Sequence, residues 1–411
     1  MIDGHRARRL ALTVAVGCLF LVPWASTPSE ARRPASPFVE TLSASDKKEF
    51  EAWLTAQTFY DAELDAYWDK VEAKRSARRK KKAAEQVLTA SDYVTTQPPD
   101  YKGPTLAKRL AEAWNTYQKA DDPAAPAPPP EELPTVDDYL KAARSQYGFV
   151  PERIAEREFK QRYAREALRL GLDKDQVVRV YALETGGLGT ADMQAGIHPI
   201  RRTGKPISSA LGYAQLLNAN SVGELVTHGA DFLERLRRMA RAEGVGGERR
   251  ARLEEKIAAL EKMVARVRRV KNEWSAHVAF ARTLAGQGVH AINIDGDIGP
   301  WLQVIKLKGI KDFAERKGRT NLDPTALELM NLAGPATGLE MMTSVGLGVP
   351  TANFFARRGY YRNSIVRGRS SQELMTALKE RMDQNMKNSG AIEFSAVFDE
   401  LLSGANRITN Q

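Results

Sequence analysis

Apolar and aromatic residues recur at intervals of three and four along most of this 411-residue chain, which is the spacing of one face of an α-helix. The pattern predicts a long helix that starts at Ser45-Asp46 and a short one near 106–118. Beyond residue 134 it predicts helices over 136–147, 151–170, 174–185, 230–242, 248–284, 301–316, 324–331, 371–387 and near 394–402. Asp173 is expected to cap the helix over 174–185. The sequence therefore predicts an all-α, or mostly α, fold.

Composition divides the chain into segments. Residues 121–134 contain the run P-A-A-P-A-P-P-P, which is typical of a stiff linker. This linker would separate an N-terminal helical extension, residues 32–120, from a domain at residues 135–405. Inside that domain, the helix predicted over 248–284 carries apolar residues spaced alternately by four and three, a narrow seam of coiled-coil type. We expect it to fold back as a helical hairpin at about 230–285, or to pair with another chain.

The first 31 residues have the pattern of a secretory signal. Three arginines between residues 6 and 9 precede the apolar stretch Leu10–Trp24, and small residues follow. We expect cleavage and a periplasmic location, with an uncleaved anchor or a lipoprotein as alternatives. Cys18 is the single cysteine and lies within this stretch, so the mature chain would have neither a disulfide nor thiolate chemistry.

The chain is basic, with 61 Lys and Arg against 51 Asp and Glu, a net charge of +10. Such a charge favours polyanionic partners, here an anionic membrane or cell wall. No base-reading motif is present, so nucleic acid is not an expected partner. The run K-R-S-A-R-R-K-K-K at 74–82 is either a solvated helix face or a peripheral contact with anionic lipid or wall phosphates.

The candidate chemistry begins with one carboxyl group. Val177, Val180, Tyr181 and Glu184 are spaced as one buried face of a helix, which ends at Gly186. An inward-facing carboxyl in the last turn, beside the negative end of the helix dipole, has a raised pKa. A carboxyl that stays protonated near neutral pH is a general acid, as glycoside cleavage requires. The alternative is an ordinary helix-end Glu184 whose side chain bends into solvent.

Three short motifs resemble those of the bacterial lytic transglycosylases, members of the lysozyme-like superfamily. That family has E-S at a helix end, then S-x-x-G-A-x-G-L-M-Q, and later Y-N-A-G. This chain has Glu184-Thr185, then S-S-A-L-G-Y-A-Q at 208–215, and N-L-A-G-P at 331–335. It departs from the pattern at Thr185, at Tyr213-Ala214 and at Met330, which takes the position of the family's tyrosine.

The resemblance implies a lysozyme-like transglycosylase domain with the helical hairpin as an insertion. It implies cleavage of the bond between N-acetylmuramic acid and N-acetylglucosamine in peptidoglycan, with formation of a 1,6-anhydro sugar. Glu184 would act as the acid and base, and glycan strands would be the partner. Substrate binding would involve Gly212, Tyr213, Gln215 and Asn331. No cofactor and no metal is implied.

Other interpretations stay open on the sequence. A lysozyme-type hydrolase would need a second carboxylate, for which Asp192 and Asp297 are candidates. Asp297 also lies in N-I-D-G-D-I-G-P at 293–300, which we interpret as a turn rather than a calcium loop because the later acidic positions are missing. Asn331 before a Gly-Pro turn could be an ordinary helix cap, and the whole chain could be a non-catalytic protein that binds or scaffolds the cell wall.

Overall fold

A computed structural model of the chain describes residues 33–119 and 132–409. The predicted signal segment and most of the predicted linker lie outside these ranges. The described residues are mostly helical and contain no β-strand, which confirms the all-α prediction. Among them, no helix combines the length and the apolar character needed to cross a membrane.

The helices are numbered here in chain order. They are α1 (Ala35–Glu40), α2 (Ala44–Ala83), α3 (Lys108–Lys119), α4 (Val136–Tyr147), α5 (Glu156–Arg169), α6 (Lys174–Thr185), α7 (Asn218–Arg241), α8 (Gly247–Val267), α9 (Trp274–Ala281), α10 (Leu284–His290), α11 (Gly299–Arg316), α12 (Pro324–Ala333), α13 (Pro335–Met341), α14 (Ser344–Gly348), α15 (Arg357–Arg362), α16 (Ser371–Asn385) and α17 (Ser389–Thr409). Short 3-10 helices cover Ala90–Asp92, Ala291–Ile294 and Thr351–Asn353.

The chain divides into two compact units. The first contains residues 133–336 and 380–409, and the second contains the described residues before 133 together with 337–379. The sequence predicted one domain at 135–405, so the structure differs in grouping 337–379 with the N-terminal extension. This grouping depends on contacts between residues that are far apart in the sequence, and a local sequence pattern does not predict such contacts. Arg78 on α2 donates to Glu340 Oε1 at 2.9 Å and to the carbonyl of Asn353 at 2.7 Å.

In the second unit, α1, α2 and α3 bury a hydrophobic cluster that consists mainly of aromatic rings. Its members are Phe38, Phe50, Leu110 and Trp114, and the rings of Phe50 and Trp114 lie 4.9 Å apart. The basic run of α2 is not uniformly solvated. Arg78 is buried, Lys81 pairs with Asp92 at 2.6 Å, and Lys82 pairs with Glu340. Part of the positive charge of this run is therefore neutralised within the unit.

In the first unit, helix ends follow local chemistry. The Asp173 carboxylate accepts the amide N–H of Gln176 at 2.7 Å, so Asp173 caps α6 as predicted. Gly148 and Gly186 adopt left-handed φ angles of 70° and 65°, and they terminate α4 and α6. These ends were predictable because each depends on one residue and its immediate neighbours.

The helical hairpin is present but shorter than predicted. Leu253, Leu260, Val264 and Val267 on α8 are buried, and α8 packs against α7 of the same chain. A Cβ on Gly229 of α7 would lie 2.7 Å from Val264 Cγ2, so the two helices approach closely there. The prediction of one helix over 248–284 is wrong. The apolar seam ends at Val267, and α9 and α10 then follow as separate short helices.

Candidate functional site

The Glu184 carboxyl lies in the last turn of α6. Two asparagines fix this helix end, because Asn385 donates to the carbonyl of Ala182 at 2.9 Å and Asn388 to that of Gly186 at 2.7 Å. Carbonyls in the last turn have no partner within the helix, so these two amides satisfy groups that would otherwise require water. Glu184 itself is only partly buried, which leaves a route for a ligand to reach it.

The amide of Asn331 joins Glu184 to a second carboxyl group. Asn331 lies near the end of α12 and its Nδ2 donates to Glu184 Oε1 at 2.8 Å and to Glu328 Oε2 at 3.3 Å. Asn331 Oδ1 is buried and has no hydrogen-bond partner among the described residues. An unsatisfied buried acceptor is costly and uncommon in native proteins, so this amide is a candidate binding position rather than a simple helix cap.

Glu184 and Glu328 form a carboxyl pair. Both accept a hydrogen bond from the same Asn331 amide nitrogen, and Glu328 is 2% exposed. Burial raises the pKa of Glu184, although the charge of Lys306 and the hydrogen bonds from Glu328 and Asn331 oppose the increase. Burial and the neighbouring Glu184 together raise the pKa of Glu328 well above its ordinary range. The pair therefore keeps a proton to higher pH than two separate carboxyl groups would.

Lys306 on α11 is the positive charge that these carboxyl groups face. Burial lowers its pKa, while Glu184, Glu328 and Glu224 each act to raise it. Glu224 on α7 has a pKa raised by burial to about 7, with Lys306 opposing the shift. Helices α6, α7, α11 and α12 thus bring three carboxyl groups and one amine together.

The second motif forms a tight turn rather than an open loop. Leu211 and Leu216 exchange both backbone hydrogen bonds at 3.0 Å, and the residues between them reverse the chain. Gly212 has a φ angle of +77°, and a Cβ there would lie 2.4 Å from the side-chain amide of Gln303. Gln215 Nε2 donates to the carbonyl of Gly212 at 2.7 Å. Both predicted site residues therefore shape this turn.

Tyr213 lies in the protein core. Its ring is 1% exposed and stands 4.9 Å from the ring of Tyr181, and its hydroxyl donates to Glu156 Oε2 at 2.7 Å. The predicted contact of Tyr213 with substrate does not fit this position, because the ring is enclosed by other side chains. Tyr213 instead connects the turn of the second motif to α5 and α6.

The two carboxylates considered for a hydrolase are held in ion pairs. Burial alone would raise the pKa of Asp192, but hydrogen bonds from Arg202 and Thr190 and the charge of Arg153 lower it on balance. The same competition lowers the pKa of Asp297, whose carboxylate lies 2.5 Å from Lys256 Nζ. Both groups are ionised partners of arginine and lysine, which gives them a structural role.

The segment N-I-D-G-D-I-G-P forms the predicted turn. Asp295 Oδ1 accepts the backbone amides of Asp297 at 2.9 Å and Ile298 at 3.1 Å. Within residues 33–119 and 132–409, no group of three or more His, Cys, Asp or Glu side chains is arranged to hold a metal ion.

Sequence reasoning predicted Glu184 and Asn331 but missed Glu328, Glu224 and Lys306. One signal was available for Glu328. It is the single charged residue in the stretch A-L-E-L-M-N-L-A at 326–333, in which every other residue except Asn331 is apolar. Glu224 and Lys306 lie on helices with several other charged residues, so no local pattern distinguishes them from those residues.

No protein-family model, no curated protein and no solved structure matches this chain.

Proposed function

We propose that the chain is a periplasmic peptidoglycan lytic transglycosylase, with a lysozyme-like catalytic domain, the α7–α8 hairpin as an insertion and a helical N-terminal extension. The observation that supports this most strongly is the hydrogen bond of 2.8 Å between Asn331 and Glu184. These residues belong to two separate motifs of the resemblance. The resemblance implies that both motifs lie near the cleaved bond, and this hydrogen bond joins them.

The reaction requires one group to act first as an acid and then as a base. Glu184 donates its proton to the oxygen that bridges the two sugars, and the bond from that oxygen to C1 of the muramyl residue breaks. The C6 hydroxyl of the same residue forms a bond to C1 and returns its proton to Glu184. The products are a 1,6-anhydromuramyl end and a free sugar hydroxyl, and no water is consumed. The raised pKa of Glu184 suits the first step.

The carboxyl pair favours this reaction over hydrolysis. Glycosidases place their two carboxyl groups about 5–5.5 Å apart for retention or about 6.5–9.5 Å apart for inversion, with the sugar or water between them. The Asn331 amide nitrogen contacts both Glu184 Oε1 and Glu328 Oε2, at 2.8 and 3.3 Å, so an amide rather than a sugar or a water bridges these two carboxyl groups. Glu328 therefore does not supply the second carboxylate of a hydrolase.

The direct test is Glu184→Gln, which keeps the side-chain shape and removes the titrating proton. We expect release of soluble fragments from purified peptidoglycan to fall by about 100-fold or more, because general acid catalysis contributes about that much. Circular dichroism and the thermal midpoint should remain close to the parent values. Glu255→Gln, on the exposed face of α8, is the matched control and should retain activity. Equal activity in Glu184→Gln would exclude the proposal.

A further inference from the structure

Glu328 has no counterpart among the motif residues that led to Glu184, yet it faces the same amide. Asn331 Nδ2 lies 3.3 Å from Glu328 Oε2 and 2.8 Å from Glu184 Oε1, so one amide group spans both carboxyl groups. Glu328 is almost completely enclosed, whereas Glu184 is partly exposed. The pair therefore has an inner member and an outer member.

We propose that Glu328 is a positioning residue that shares one proton with Glu184 and keeps that proton available to the exposed carboxyl. The consequence for catalysis rests on the proposed function, whereas the shared proton itself does not. Asn331 keeps the two carboxyl groups side by side through its hydrogen bonds to both. The positive charge of Lys306 stabilises the one negative charge that the pair carries.

The charged groups around the pair come from four helices. Glu184 is on α6, Glu224 and His228 on α7, Lys306 on α11, and Glu328 on α12. His228 Nε2 lies 3.8 Å from Glu224 Oε2, and burial lowers the pKa of His228. Three carboxyl groups thus interact with one lysine amine, so ionisation of all three would place three negative charges around a single positive one. Retaining a proton between Glu184 and Glu328 avoids that arrangement.

The proton can be followed through one cycle. In the resting pair, one carboxyl group is protonated and donates to the other, which carries the negative charge. The proton moves to Glu184 and then to the bridging oxygen of the glycan as the bond to C1 breaks. Both carboxyl groups are then ionised beside Lys306 until the C6 hydroxyl gives its proton to Glu184. Repulsion between the two carboxylates makes Glu184 a stronger base at that moment.

Two substitutions should move the titration in opposite directions. In Glu328→Gln, Glu184 can lose its proton without creating a second adjacent carboxylate. The pH at which Glu184 loses its proton should therefore fall by about one unit or more. In Lys306→Met, the lost positive charge should move it to higher pH. A residue with only a structural role would not produce opposite shifts.

The experiment is a pH titration of the full chain labelled with ¹³C at the glutamate carboxyl carbons. Glu184→Gln and Glu328→Gln assign the two signals. The parent protein should show two coupled steps for this pair, and Glu328→Gln should show one step for Glu184. Glu255→Gln should reproduce the parent curve. If Glu328→Gln does not fold, Lys306→Met alone still provides a signed test.

The pH profile of peptidoglycan cleavage gives the second readout. Its upper limb should move to lower pH in Glu328→Gln and to higher pH in Lys306→Met. If Glu184 titrates in the same single step in the parent and in Glu328→Gln, the shared proton is excluded, even if peptidoglycan is cleaved. If the two coupled titration steps are present but no glycan is cleaved, the proposed function is wrong, whereas the proton shared by Glu184 and Glu328 is supported.

Discussion

Asn331 Nδ2 lies 2.8 Å from Glu184 Oε1, although 147 positions separate the two residues in the chain. The contact joins the end of α6 to the end of α12, and each helix is terminated by a glycine, Gly186 or Gly334. The acid and the amide are thus held by helix ends rather than by free loops, which keeps their relative position well defined.

The turn of the second motif should depend on Gly212. We expect Gly212→Ala to destabilise the protein by about 1–3 kcal/mol, because alanine is strained at a φ angle of +77° and its Cβ would meet the Gln303 amide. Gly309→Ala is the matched control. Gly309 lies inside α11 with open space around its Cα, so alanine there should stabilise by about 0.5–1 kcal/mol. Thermal unfolding of both variants checks the signs, and equal midpoints would contradict the role given to Gly212.

His290 should make the stability of the first unit depend on pH. It is fully buried, its Nε2 donates to the carbonyl of Ser209 at 2.7 Å, and its Nδ1 accepts from Ser221. Burial lowers its pKa from 6.5 to about 4. Between these values the unfolded chain binds a proton that the folded chain does not. Stability is therefore complete above the unfolded pKa and falls as the pH drops, by up to about 3 kcal/mol in total.

The measurement is urea unfolding at several values between about pH 4.5 and about pH 7. His290→Gln should remove this part of the pH dependence, although it also costs stability at every pH because it disturbs the hydrogen bond to Ser209. His198→Gln is the control. A parallel pH dependence in the parent and His290→Gln would show that His290 is not held neutral by the fold.

Arg78 should be essential for the second unit although it belongs to a run of surface charge. Arg78→Met should cost about 3 kcal/mol, because it removes one partner from the buried Glu340 carboxylate and the closer of two donors to the carbonyl of Asn353. Arg79→Met removes the same charge from a more exposed position and should change stability by less than about 0.5 kcal/mol. Chemical denaturation of both variants makes the comparison, and similar losses would contradict a special role for Arg78.

The sequence predicted those features that depend on neighbouring residues. Asp173 and Gly186 define the two ends of α6 through a cap and a left-handed turn, and both were predicted because their chemistry is local. The break after Val267 was not predicted, since no glycine or proline marks the residues from 268 to 273. Residues 268–273 are mostly exposed, and the chain then returns as α9 to pack against α7, a contact that depends on tertiary structure.

The site was predictable in part for the same reason. Glu184 and Asn331 were predicted from two short motifs, each of which is recognisable without the other. The structure brings the two residues into contact. Tyr213 was predicted to contact substrate because of its place in a motif, but the direction of its side chain depends on α5 and α6. Glu328 acquires its importance only through contact with Glu184, and no local pattern contains that contact.

The most direct test of the account is the mass of the fragments released from purified peptidoglycan by the full chain. We predict muropeptides whose muramyl ends lack one water, because the C6 hydroxyl attacks C1. We also predict that Glu184→Gln does not form these products. Fragments that carry the added water would show hydrolysis instead. Binding to peptidoglycan without any released fragment would show a wall-binding protein, and either result would contradict the proposed chemistry.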